Sequence, residues 1–317
     1  VTTTTEEEVG LTPTRSKRQV GDVVFARIAL VAGLAIMVAL AGVFIFLAIE
    51  GIPGFTQDAR FYGPDATTFL GYVGPLVYGT VLAAVLALIL AVPLAFAIAL
   101  VISHYAPRWL AGPIAYVIDL LAALPSVVFG LWGIDVLAPK LVPLFVWLEE
   151  NAGFLPFFAD PVNPAGTTIL TAGVVLAIMI LPIITAISRE VFAQTPKLHQ
   201  EAALALGATR WEMIRMTVFP YSRSGMISSV MLGLGRALGE TMAVAMVLAP
   251  GGLYTLNLIG NENPNSIAGN IARRYKEGTP GTVAVLIATG LVLFLVTFLV
   301  NFAGRWIAGR AERKMNR

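Results

Sequence analysis

The sequence predicts an all-α integral membrane protein with six transmembrane helices, and three observations carry that expectation. Of its 317 residues, 57% are hydrophobic and only 13% charged, whereas a soluble domain carries roughly a quarter charged residues. Uncharged runs long enough for a crossing helix, which needs about 20 apolar residues, recur along the chain. No run alternates with period two, and since every backbone polar group must be paired in hydrocarbon, a β-barrel is not a serious competitor.

Residues 1–24, with Thr2 to Thr5, Glu6 to Glu8 and then Arg15, Lys17 and Arg18, are polar and aperiodic. They read as a disordered cytoplasmic tail. The transmembrane body is expected over 25–310, with a basic tail at 311–317. Ile28 to Ile49 holds no charge and is longer than the 7–15 residue apolar region of a signal peptide, so it reads as a retained first span. The second run, Val73 to Ser103, contains Pro75 near its start and Pro93 within it, where a lost backbone hydrogen bond favours a kink. The third, about Gly112 to Leu137, holds Asp119 and the segment Leu124-Pro125-Ser126-Val127-Val128-Phe129-Gly130-Leu131-Trp132-Gly133, a poor regular helix. Thr167 to Ser188, Gly225 to Ala249 and Thr282 to Gly304 complete the six. Lys140 to Asn163 is rich in proline and aromatics but broken by Glu149, Glu150 and Asp160. It reads as interfacial.

Composition excludes several function classes. There is no cysteine, and the two histidines, His104 and His199, lie far apart, so thiolate sites and disulfides are excluded and a histidine metal cluster is disfavoured. No cofactor motif stands out. The formal net charge of +2 is too small for a nucleic-acid surface, and the basic residues cluster beside apolar runs. Their placement reports orientation. Arg15, Lys17, Arg18 and Arg27 precede the first span, and Arg305, Arg310, Arg313, Lys314 and Arg317 follow the last. Both termini are therefore expected in the cytoplasm, as is the 189–223 loop with Arg189, Lys197, Arg210, Arg215 and Arg223. Acidic loops carrying Glu50, Asp58, Asp65, Asp135, Glu149, Glu150 and Asp160 fall outside. Arg273, Arg274 and Lys276 dissent, placing a basic loop on the outer side that could face an anion or a partner protein.

The 189–223 loop contains Glu201-Ala202-Ala203-Leu204-Ala205-Leu206-Gly207-Ala208-Thr209-Arg210-Trp211 and ends at Phe219-Pro220. Ala202 and Ala203 favour helix with little bulk, so a short helix can lie against another protein. Gly207 permits a turn that a residue with a Cβ resists. Glu201 and Arg210 offer charged contacts, and Trp211 and Met213 offer apolar surface. The chain lacks Gly-x-x-x-x-Gly-Lys-Ser/Thr, so any nucleotide motor must belong to another subunit.

The fifth span carries Gly233-Leu234-Gly235-Arg236-Ala237-Leu238-Gly239-Glu240-Thr241. In a continuous helix, Arg236 and Glu240 share a face, and Gly235 and Gly239 form a stripe for close helix approach. An arginine at membrane depth costs roughly 2.5–3.5 kcal/mol on insertion scales and should face a partner or a wet cavity. Its planar guanidinium suits a tetrahedral oxyanion, and Glu240 could hold it when the path is empty. The bland alternative is an ion pair that only fixes packing. Asp119 could pair with an arginine of a neighbouring span or cap a broken helix.

The Glu201 to Pro220 loop resembles the EAA loop of ABC-importer permeases, keeping Glu201, Ala202, Ala203, Gly207 and Pro220 in register, with Thr217 and Phe219 where Ile and Leu are usual. With the Leu124 to Gly133 and Gly233 to Ala245 segments, the chain resembles the PstC-type phosphate permease family over nearly its whole length after the tail. The resemblance implies a type I importer fold with a cytoplasmic coupling helix in the plasma (inner) membrane. It implies as partners a PstA-like second permease, a PstB-like ATPase dimer and a PstS-like phosphate-binding protein, with phosphate passing Arg236, Glu240 and Thr241. ATP hydrolysis would reside in the ATPase chain. Sulfate or molybdate import stays open as an alternative, as does an ion-coupled secondary transporter, though no internal repeat is evident. A membrane enzyme lacks any nucleophile-base constellation.

Overall fold

The computed structural model describes residues 20–63, 66–252 and 254–315. Residues 1–19 of the tail expected at 1–24, Asp65 and Arg317 lie outside the described residues. Two compact units are distinguished, 1–46 and 47–317.

The first unit holds most of helix α1, Val20–Gly51. Residues 20–24, assigned to the tail from sequence, are already helical. Its apolar residues run all round the helix, the pattern of a segment surrounded by apolar solvent.

The second unit is built around α2, Phe69–Leu100, and α6, Ile169–Ala193. Alanines at 83, 87, 91, 95 and 99 recur every fourth residue of α2 and are all at most 3% exposed. Such a ridge of small side chains lets a neighbouring helix approach closely, and α6 fills it with Leu176, Met179, Ile180 and Ile184. Thr68 and Thr168 start the two helices by accepting from the backbone N–H of Gly71 and Thr171, as N-caps do. A π-turn at Val101–Tyr105 ends α2.

The expected third span is not one helix. Helix α3, Arg108–Ala122, stops where Pro125 restricts the preceding residue to extended backbone. The chain resumes as α4, Ser126–Trp132, passes a π-turn at 133–137 and continues as α5, Ala138–Ala152. The interfacial reading of 140–163 is thereby corrected: its first part completes an apolar helix over Ser126–Ala152. The charges at Glu149 and Glu150 fall in that helix's last turn. Asp119 of α3 meets Arg189 near the C-terminus of α6 at 3.7 Å, one of the two partners the sequence offered it.

The remaining elements are α7, Lys197–Ala205; α8, Arg210–Met213; α9, Phe219–Gly239; α10, Met242–Val247; α11, Ile267–Arg274; and α12, Pro280–Met315. A two-stranded parallel pair joins β1, Pro250–Gly252, to β2, Asn263–Pro264. Among the described residues, five helices are long and apolar enough to cross a membrane: 21–56, 69–105, 126–152, 169–193 and 280–306. The chain is a multi-pass membrane protein. The stretch 225–249, expected as one helix, is divided between α9 and α10, which are separated at Glu240 and Thr241, and neither is among those five.

Candidate functional site

Two regions of the second unit bring the sequence-nominated residues together. At one end, α7 and α8 form a helical hairpin around Gly207. Gly207 adopts φ +87°, a left-handed conformation open to glycine at little cost. Its N–H donates to Leu204 O at 3.0 Å and that of Ala208 to Ala203 O at 3.2 Å, the paired bonds of a Schellman stop. Thr209 then starts α8 through a capping box: its hydroxyl accepts from Glu212 N–H, and Glu212 accepts from Thr209 N–H at 2.8 Å. Those contacts from the Thr209 backbone and hydroxyl hold the Glu212 carboxyl below its ordinary pKa.

This hairpin has two faces. Ala203 and Met213 are buried with Ala99 and Leu100 of α2, Phe192 of α6, and Ile214 and Val218. The expectation that Met213 contributes outward surface is corrected, because a one-turn helix pinned at Thr209 turns that position inward. Glu201, Ala202, Gly207, Arg210 and Trp211 are exposed. Leu198 and Leu206, which the sequence reading passed over, are 74% and 89% exposed. An apolar residue beside the turn-forming Gly207 was the available signal for Leu206.

The second region surrounds the end of α9. Glu240 adopts extended backbone, φ −68° and ψ 126°, so the expected shared helical face of Arg236 and Glu240 is lost. The Glu240 carboxylate instead accepts from Ala243 N–H at 3.0 Å, an acceptor and negative charge at the start of α10. Among the described residues Arg236 forms no ion pair or hydrogen bond. Thr241 donates its hydroxyl to Gly239 O at 3.2 Å. The Gly-Glu-Thr run was the missed signal, since a glycine followed by a capping residue marks a helix stop and restart.

The expected stripe of Gly235 and Gly239 meets nothing within 4 Å, whereas Gly225 and Gly233 are pressed against Val191 and Ile184 of α6. The close approach uses a different pair of glycines. Across the break, α4 packs on α10 through Gly130, where an added Cβ would lie 3.0 Å from Ala243 Cα. Gly133, beginning the following π-turn, is equally tight against Val175 and Val247, at 2.8 Å. That is the role of the Leu124 to Gly133 segment: a proline break followed by glycines that admit α10.

At the opposite end from the hairpin, three loops interlock. Phe157 O accepts from Leu258 N–H at 2.8 Å, Ile259 O from Asn163 N–H at 2.9 Å, and Phe61 O from Arg274 at 3.0 Å. Arg273 and Arg274, two of the three basic residues that dissented in sequence, are engaged here. Arg273 donates to Ala245 O and Leu248 O at 2.7 and 2.6 Å, a cation on the carbonyl end of α10. Burial pushes its guanidinium below the usual value. Arg274 also donates to Tyr72 Oη at 2.9 Å.

Known proteins place these features in context. The family described as binding-protein-dependent transport system inner membrane component matches residues 91–315. The phosphate transport system permease protein PstC 2 of Mycobacterium tuberculosis is 46% identical over 301 residues, covering 91% of this chain and 92% of its own. The PstC protein of Mycobacterium leprae is 42% identical, with 84% and 86% covered. A chain of a bacterial ABC transporter involved in import of the acidic polysaccharide alginate shares the fold, with TM-score 0.54, 17% identity, and 92% and 96% covered.

Proposed function

The chain belongs to the binding-protein-dependent transport system inner membrane components, and within them to the PstC-type phosphate permeases, and from that premise we propose that it lines the membrane route for inorganic phosphate in an ATP-driven importer. The family consists of transport subunits and not enzymes. Identity of 46% sustained over 91% of the chain carries the reading. The partners are a PstA-like second permease, a PstB-like ATPase dimer and a PstS-like phosphate-binding protein. The ends of the chain and the α7–α8 hairpin face the cytoplasm, and α9 with α10 supplies the sixth crossing.

Coupling works through the two faces of the hairpin. The ATPase engages Glu201, Ala202, Gly207, Arg210 and Trp211 together with Leu206. Ala203 and Met213, on the other face, are packed against α2 and α6, so displacement of the hairpin moves those helices and α9 as a unit. Interiors packed at crystal-like density transmit such displacements.

Phosphate passes Arg236, whose planar fork matches two oxygens of a tetrahedral anion. Glu240 and Thr241 shape the break beside it. Because Glu240 is engaged by α10, the guanidinium is not paired with the carboxylate four residues on and stays available to an anion. The test is labelled phosphate uptake by the complete importer in vesicles, with sulfate and molybdate as competitors. Uptake that requires ATP and is competed by neither anion is expected; ATP-independent uptake or equal competition would refute the assignment.

A further inference from the structure

A cleft of about 520 Å³ lies between α6, α9 and α12, within the roughly 300–1,000 Å³ range of small-ligand sites. Arg236 and Arg305 both line it, with Ser228 and Asn301 as neutral polar groups and Ile183 and Met231 among its apolar wall. No carboxylate lines it. Among the described residues neither arginine has an ion-pair or hydrogen-bond partner. Arg305 follows Gly304, which is pressed against Met231 of α9: a Cβ added at Gly304 would lie 2.2 Å from the Met231 sulfur and 2.3 Å from its methyl. That contact holds the Arg305 turn of α12 against α9.

Two guanidiniums without a carboxylate partner at one cleft repel each other, and an anion between them relieves that repulsion. We propose that Arg236 and Arg305 together form a binding site for a phosphate-type oxyanion in this cleft, with Asn301 and Ser228 as additional donors. The proposal rests on the reading of Arg236 as part of the anion route and adds Arg305 as the second cation. Two forks can bind opposite edges of one tetrahedral anion, whereas a single arginine binds only one. The same chemistry is offered by free phosphate and by the phosphodiester of an anionic lipid, whose acyl chain would follow the Ile183 and Met231 wall.

The test uses the complete importer reconstituted in vesicles of phosphatidylcholine, with or without phosphatidylglycerol, and labelled inorganic phosphate. Arg305→Ala is expected to lower uptake about tenfold to a hundredfold, the range for losing one charge-assisted contact, at equal membrane level and subunit recovery. Arg305→Lys is expected to restore part of it, and Asn301→Leu to lower uptake several-fold. Should the alanine variant fail to assemble, Arg305→Gln carries the same expectation. Weaker phosphate binding by the variant, with wild-type uptake independent of phosphatidylglycerol, supports free phosphate as the occupant. Wild-type uptake that needs phosphatidylglycerol, with loss of co-purifying lipid in the variant, supports the headgroup. Full uptake with unchanged phosphate and lipid binding in the Arg305 and Asn301 variants overturns the site. If Arg236→Ala alone is then defective, the route reading survives; if Arg236→Ala also transports fully, both fall.

Discussion

The indole of Trp211 stands at right angles to the ring of Phe219, with 6.1 Å between centroids and 89° between planes. Phe219 meets Phe192 of α6 at 6.1 Å, and Phe192 meets Phe96 of α2 at 6.3 Å. Edge-on ring contacts of this kind contribute about 0.5–1.5 kcal/mol each beyond their burial. The run leads from a half-exposed indole on the hairpin to the wall of the central helix pair, and phenylalanine at 219 in place of the usual leucine supplies its second ring.

Trp211→Ala is expected to reduce phosphate uptake and recovery of the ATPase with the permease, while thermal stability changes little. Met213→Ala, on the buried face, is expected to cost about 2–5 kcal/mol of stability. Comparing melting temperature with ATPase recovery for the two variants checks this. Equal loss of stability in both would remove the distinction between the faces.

Gly207→Ala places a Cβ at φ +87°, a cost of roughly 1–2 kcal/mol. The Schellman stop loosens, and uptake is expected to fall while phosphate binding by the separate binding protein is unchanged. Thermal melting and uptake of the same preparation give the comparison.

Lowering pH should weaken the start of α8. Because the Glu212 pKa is depressed in the fold, its capping contribution is complete above the ordinary glutamate pKa and is lost as pH falls through the depressed value. The expected result is an acid-side loosening of the hairpin that Glu212→Gln displays already at neutral pH. Amide exchange of residues 209–213 measures it.

Glu240→Ala removes the acceptor at the start of α10 and is expected to cost about 0.5–2 kcal/mol. Glu240→Gln keeps an oxygen acceptor and should retain most of that stability. If the two variants melt alike, the bond to Ala243 does not hold the break.

The sequence displayed what local chemistry decides. The turn demanded at Gly207 and the apolar runs of α2 and α6 need no tertiary information. Met213 was misjudged because the facing of a single helical turn is set by what it packs on, here Phe192 and Leu100. The Arg236–Glu240 face failed for another reason: four-residue spacing implies proximity only where the helix is continuous, and Gly239 ends it. Arg273 and Arg274 read as a basic outer loop that could face an anion or a partner protein because their carbonyl partners at 245, 248, 61 and 62 are distant in sequence or hidden in the backbone. Arg305 counted only as an orienting charge, since nothing local reveals that α12 brings it to the cleft lined by Arg236.

The most direct test of the whole account is labelled phosphate uptake by the complete importer carrying Arg236→Ala or Arg236→Lys, at matched membrane level. A loss of at least about tenfold for alanine, with partial recovery for lysine, is the expected result. Undiminished uptake by the alanine variant would contradict a route past this guanidinium.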